Sequence, residues 1–404
     1  MRYTRIVPCT LLLTLISTLL SGCWDLIEIN RSSLLTGIAL EQGKNNKFKH
    51  TFEVLNAVEA QAIEGGKGMA PTTLYTAEGK TLADTVAKLN EQFDRLLILS
   101  HIRVILVDEH LARKGLDEIL DAVRRSRYVR EDILVLITQD VPASQVLQIL
   151  NPGGVYGSLK IRSQVENFLS TWGGVPKSRL FDITEAALSN GKELILGAVS
   201  IQGDAAESSE MDSLKSVIPK SVVQISGSAV FRGDKLVGFL PVYDTRIVNL
   251  IRNDLNVTAL SVPLGGPDKY ASIRYKHYRT QMSVTMNGKQ PLVSLQIEGA
   301  GQISSLDRSI PIDQVQGYEE LEQLTSRYLA EQVKKVIAHV QHSYGADIFG
   351  FGEHLHRYHY KEFEQVGKDW NSRFAQAKVN ISVKVHIARS ELKSKSLKHN
   401  DFSH

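Results

Sequence analysis

HIRVILVDEHLARKGLDEILDAV, residues 101–123, is the stretch from which the fold is read. His101 to Val107 is dense in branched apolar residues, as a strand buried on both faces is. Asp108 supplies a side chain suited to a helix start, and Gly115 closes the short helix that follows. Gly115 to Val123 predicts a second helix and Ile133 to Thr138 the next strand. Strand, helix and strand in that order predict a sheet with helices packed on it.

Working outward, Leu34 to Leu40 and Phe48 to Val58 form a pair of strands across the turn-rich Glu41 to Asn46. Gln61 to Pro71 is Gly-rich and predicts a loop. From Thr81, the residues Leu82, Val86, Leu89 and Phe93 recur at helical spacing. Leu180 to Leu188 predicts another helix and Glu193 to Ser200 another strand. Together these pieces make one α/β domain over residues 23–200.

Gly203 to Ser213 is rich in Gly, Ala, Ser, Asp and Glu, a composition shift that marks a linker or an exposed loop. Ser228 to Leu240 predicts a hairpin about Gly233-Asp234, and residues 201–275 are assigned to a small middle β-rich domain. In residues 276–390, Met282, Val284 and Met286 alternate with polar residues. Asn287-Gly288 supplies a hairpin turn and Leu292 to Ile297 the return strand. Tyr318 to Val340 is a long amphipathic helix, and Val379, Ile381, Val383, Val385 and Ile387 alternate with polar partners, one face in and one face out. The expected fold class is therefore α/β (α+β) and multidomain, with mixed sheets carrying packed helices and a C-terminal antiparallel sheet covered by helices. Residues 391–404 read as a disordered tail.

Apolar content of 43% and charged content of 23% are globular values. A net charge of +3 is too balanced to argue for nucleic acid. The cluster Arg124, Arg125, Arg127 and Arg130 closes a helix, where cations suit the dipole. A solvated helix end is one reading of it, and contact with lipid head groups or an acidic partner is the other.

At the N-terminus, two cations are followed by an uncharged apolar run from Ile6 to Leu20, shorter than the roughly 20 residues a spanning helix needs. A cleaved leader over residues 1–22 is expected, with a retained membrane helix as the alternative. Leu20-Ser21-Gly22-Cys23 resembles the bacterial lipobox, whose cysteine carries a diacylglycerol. Cys9 and Cys23 are the only cysteines, and Cys9 leaves with the leader, so Cys23 has no disulfide partner and is expected as a lipid attachment site. Trp24 beside it is a candidate partner or membrane contact.

Catalytic patterns are weak. His354, His356 and His359 lack zinc-motif spacing, and Gly350 and Gly352 lack the third glycine of a dinucleotide loop. No G-x-S-x-G occurs. The block Asp347 to Glu353 reads as a turn joining two helices, and no cofactor, metal or catalytic residue is assigned.

Several stretches together resemble one family, the Ger(x)C spore germination lipoproteins, the C subunits of nutrient germinant receptors. They are Gly22-Cys23-Trp24-Asp25 with Glu28-Ile29, the hairpin from Ser228 to Gly238, the block Asp347-Ile348-Phe349-Gly350-Phe351-Gly352-Glu353, and Trp370 and Phe374 before the final strand. The chain departs from the family at Lys361, where a proline is common, and in its longer C-terminus. The resemblance implies structural roles for Asp347, Gly350, Phe351, Gly352 and Trp370. It also implies a three-domain, non-enzymatic lipoprotein on the outer surface of the spore inner membrane, beside a multispanning A subunit and a transporter-like B subunit. Such receptors answer amino acids, sugars or nucleosides. Two other readings stand beside this one: a solute-binding lipoprotein that captures the nutrient itself, and an envelope hydrolase.

Overall fold

The computed structural model describes residues 32–388 apart from 45–47, 57–69, 127–128, 151–155, 206–216, 267, 307–309 and 313. The expected leader, Cys23, Trp24, Arg127, most of the Gly-rich loop and of the Gly203 to Ser213 linker, and the tail lie outside those residues. Among the described residues the first sheet has nine strands. These are β1 (Ser32–Gln42), β2 (Phe48–Leu55), β3 (Thr72–Gly79), β4 (Leu96–Ile98), β5 (Val104–Asp108), β6 (Leu134–Thr138), β7 (Ile195–Gly203), β8 (Ser221–Arg232) and β9 (Lys235–Leu240). Their order is β3-β2-β1-β5-β6-β7-β8-β9, with β4 beside the start of β1. Strands β1, β5, β6 and β7 run parallel, and antiparallel pairs extend the sheet at both ends.

Helices cover both faces of this sheet, which is why β5 and β6 are buried throughout. They are α1 (Leu82–Leu89), α2 (Glu109–Lys114), α3 (Asp117–Arg125), α4 (Ala143–Gln148), α5 (Gly157–Thr171) and α6 (Leu180–Leu188). Leu111, Ile119 and Ile183 pack on one face with Ile105, Val107 and Ile137, whereas Val146, Ile161 and Val165 pack on the other with Val104, Leu106 and Leu136. The boundaries of α2 are those its sequence dictates: Asp108 accepts a hydrogen bond from the His110 amide at 2.9 Å, and Gly115 ends the helix.

Two glutamates on the sheet receive the starts of α4 and α5. Glu41 Oε1 accepts from the Ser144 amide at 2.8 Å and its hydroxyl at 2.6 Å. Burial works against ionisation of Glu41, yet hydrogen bonds from Lys49 and Ser144 hold its pKa below the ordinary value. Glu53 accepts from the Ser158 amide at 3.3 Å and from Thr36 Oγ1 at 2.7 Å, and there burial prevails and raises its pKa.

His50 is the acid-sensitive point of this core. Its ring stacks on Phe48 at 5.7 Å, meets Phe52 edge-on at 6.0 Å and contacts Thr85 Oγ1. Burial alone lowers its pKa from 6.5 to about 4. Since the unfolded chain binds this proton more readily, stability is full above pH 6.5 and is lost as pH falls through about 4. The loss from this one group is expected to be about 3 kcal/mol. His50→Gln should flatten that part of a stability-versus-pH curve from denaturant titrations, whereas an unchanged slope would place the sensitivity elsewhere.

The second sheet, in order β10 (Val257–Pro263), β11 (Tyr270–Asn287), β12 (Gln290–Leu306) and β13 (Lys378–Ala388), carries α8 (Val315–Ser343) on one face. Leu321, Thr325, Leu329, Val333, Val336, Ile337 and Val340 form the buried stripe of α8. Helix α7 (Val242–Ile251) links the sheets, and α9 (Phe351–Tyr358), α10 (Tyr360–Val366) and α11 (Trp370–Phe374) precede β13.

Three expectations need adjustment. The C-terminal sheet is antiparallel through β10, β11 and β12, but β13 joins β12 in parallel. Its connection through α8 to α11 is the crossover that parallel pairing requires. The hairpin turn is centred on Gly288-Lys289, because Asn287 pairs with Gln290. The described residues of 201–275 form no sheet of their own: β8 and β9 pair onto β7, and β10 with the start of β11 belongs to the second sheet. The hairpin's apolar face, including Phe231 and Leu236, is buried only by joining the first core.

Candidate functional site

The chain between α8 and α9 wraps around one carboxylate. Asp347 is fully buried; its Oδ1 accepts from the amides of Phe349 at 3.1 Å and Gly350 at 3.0 Å. Its Oδ2 accepts from the Gly352 amide at 2.8 Å and from Trp370 Nε1 at 2.8 Å. Burial raises the pKa of Asp347 to about 6, while these donors pull it the other way, so the group is ionised at neutral pH. An acidic side chain with four converging donors organises backbone that neither helix satisfies.

Both glycines are dictated by this geometry. Gly350 holds a left-handed φ of 86° at the start of α9. A Cβ on Gly352 would lie 2.4 Å from Trp370 Nε1 and 2.5 Å from the Gly191 carbonyl oxygen. Phe351 completes the block in the core, with its ring 5.2 Å from Phe349 and 6.0 Å from Phe374.

The same loop joins the two sheets. The Glu193 amide donates to the Asp347 carbonyl at 2.8 Å, just before β7. Glu193 Oε1 accepts from Asn371 Nδ2 at 2.5 Å, and its Oε2 accepts from the Gly233 amide at 2.7 Å in the β8–β9 turn. Losing both side-chain bonds in Glu193→Ala is expected to cost about 2 kcal/mol. The hairpin turn should also become easier to cleave in limited proteolysis. Unaltered unfolding and cleavage would mean that Glu193 does not tie the sheets.

A second tie runs through α7. Arg246 is 4% exposed, lies 4.6 Å from the Trp172 ring centroid and 5.2 Å from that of Tyr243, and donates to the Ala259 carbonyl at 2.6 Å. Asn249 Nδ2 donates to the carbonyls of Gly173 and Val175, both at 2.8 Å.

Beside the Asp347 loop lies a cleft of about 540 Å³ whose lining includes Asp117, Lys192, Glu193, Arg232, Asp234 and Asn371. Another, of about 820 Å³, is lined by Arg252, Asp254, Arg279, Glu353, His354 and Arg357 among others. Both carry charges of both signs; the first is also lined by Leu116, Leu120 and Ile183, and the second is predominantly polar. His354 packs on Tyr358, and His356 meets Tyr360 and Phe363. Among the described residues, no group of three His, Cys, Asp or Glu side chains could hold a metal ion. No helix among them is long and apolar enough to cross a membrane.

Asp347, Gly350, Phe351, Gly352 and Trp370 are thus brought together in one knot. Arg124 and Arg125 stand exposed at the end of α3, with Arg125 Nε 2.7 Å from Asp121 Oδ2, far from that knot in chain terms. The roles of Glu193, Asn371 and Arg246 were not expected. Each is a single polar residue in ordinary context, and Glu193 with Asn371, like Arg246 with Trp172, meets across a long stretch of sequence.

Two family descriptions match the chain: "Spore germination protein N-terminal domain" over residues 25–201 and "Spore germination B3/ GerAC like, C-terminal" over residues 226–391. The chain is 21% identical to spore germination protein KC of Bacillus subtilis, covering 94% of this chain and 95% of that one. It is 22% identical to spore germination protein GerQC of Bacillus cereus, covering 94% and 98%. The crystal structure of the GerBC protein is similar with a TM-score of 0.54 at 16% identity, over 87% of this chain and 97% of that one. Strands β8 and β9 fall mostly within the second matched segment, yet they complete the sheet of the first.

Proposed function

This chain belongs to the Ger(x)C family of spore germination proteins, and we propose that it is a membrane-tethered, non-catalytic subunit of a germinant receptor. It would stand on the outer surface of the spore inner membrane, held by lipid on Cys23. There it would act with the receptor's A and B membrane subunits in the response to nutrients. Family membership across both halves of the chain is the observation that carries this reading. The lipobox-like Leu20 to Cys23 supports the tether, since two acyl chains hold a protein stably where one does not. Two built features are junctions: the Asp347 loop with Glu193, and the Arg246 stack, each fasten one sheet to the other.

A tagged chain extracted from spore membranes in mild detergent should bring down two multispanning proteins in constant proportion. Recovery of the chain alone, under conditions that preserve other membrane complexes, would remove the receptor assignment.

The clefts between the sheets favour direct nutrient capture as the second reading. Calorimetry with amino acids, sugars and nucleosides separates the two: saturable heat favours capture, and its absence favours a subunit that acts through its partners.

A further inference from the structure

One end of the first sheet carries the start of β1, the first strand after Cys23 among the described residues. Strands β1, β5 and β6 are parallel and adjacent, so their starts lie together. Cys23 is nine residues before Ser32, the first residue of β1. At no more than about 3.6 Å per residue, the anchor lies within roughly 32 Å of that end. The short strand β4 runs beside it, with Ser32 opposite Leu96 and Leu34 opposite Ile98.

Side chains alternate along this ribbon. Leu97 and Leu99 turn inward and pack on the first core. Leu34, Leu96 and Ile98 join none of the three buried clusters, and Leu96 is 54% exposed. Registered residues of paired strands share a face, so these three form one apolar patch.

Arginines lie in the segments that lead into the strands at this end of the sheet. Arg95 precedes β4, Arg103 precedes β5, and Arg124, Arg125 and Arg130 lie on the segment that leads into β6. Asp94, Asp121, Glu131 and Asp132 share this end, and Asp121 and Asp132 pair with Arg125 and Arg130. Arginines flanking apolar side chains suit a bilayer interface, where stems and apolar groups enter the headgroup layer and guanidinium groups meet phosphates.

We propose that this end of the sheet docks on the anionic bilayer surface, with Leu34, Leu96 and Ile98 among the headgroups and the arginines on lipid phosphates. The docking rests on Cys23 being the anchor, and it fixes which way the tethered body faces. The opposite ends of β1, β5 and β6 then point away from the membrane.

The test removes dependence on lipidation. With residues 1–22 absent and Cys23 replaced by a histidine tag, the chain has no cysteine. It can then be tethered to phosphatidylglycerol–phosphatidylcholine vesicles through a nickel-chelating lipid. An environment-sensitive fluorophore is placed at Leu96→Cys, and in a separate chain at Tyr270→Cys, a residue 52% exposed in the second sheet. On tethering, emission from position 96 should shift to the blue and be quenched by a nitroxide lipid several-fold more strongly than emission from position 270. Arg103→Glu with Arg124→Glu should reduce that quenching at least twofold. No change at position 96, equal responses at both positions, or a shift that appears only when other membrane proteins are added would overturn the proposal. Failure of the anchor is read separately, from the lipid content of the native chain.

Discussion

Replacing Asp347 with asparagine is expected to remove about 3 kcal/mol of stability at neutral pH, although the two side chains have the same shape. The carboxylate accepts from three amides and one indole, two donors on each oxygen. An asparagine offers one acceptor oxygen and one NH₂ group, so two buried donors would face a third donor. Each unsatisfied buried donor costs about 1–3 kcal/mol. Urea denaturation at pH 7 measures the loss. Trp370→Phe in the Asp347→Asn background removes one of the stranded donors and should recover part of the stability. A wild-type midpoint for the single variant would mean that the knot does not hold the loop. Asp369→Asn serves as the control, since Asp369 pairs with Arg373 at the surface, where such pairs contribute little.

The second large effect is expected at Cys23. Burying acyl chains gains about 0.8 kcal/mol per methylene, so losing two chains abolishes stable membrane attachment. In spores carrying Cys23→Ala the protein should leave the membrane pellet for the soluble fraction, and nutrient germination should slow. Both networks that join the sheets, at Glu193 and at Arg246, lie far along the chain from this residue and should keep their stability. Receptor assembly and germination at wild-type levels in those spores would sink the tether.

Local signals were legible in the sequence where the determining atoms are neighbours in the chain. Asp108 and Gly115 bound α2, Thr81 caps α1 through the Asp84 amide, and Leu180 to Leu188 is α6 in full. The five alternating apolar residues from Val379 to Ile387 gave β13 its place as a half-covered strand. They could not give its direction, because alternation is the same in parallel and antiparallel pairs. Membership of a sheet was equally hidden. The hairpin of β8 and β9 carries its own turn chemistry, but the partner that buries Phe231 and Leu236 is decided by packing against β7 and α2.

The candidate site was half legible. The block from Asp347 to Glu353 with Trp370 stood out through resemblance, and the structure supplies its physical reason in the four donors on one carboxylate. Glu193 and Asn371 escaped notice because their partners lie 178 residues apart. The buried glutamates Glu41 and Glu53 escaped for the same reason: they sit in strands, and the helix starts they serve lie more than a hundred residues on.

The most direct test of the central claim is intact-mass spectrometry of the chain purified from spore membranes. The expected species begins at Cys23, lacks residues 1–22 and carries a diacylglyceryl group on its sulfur. A chain that retains its leader, or one that begins at a bare Cys23, would contradict the account.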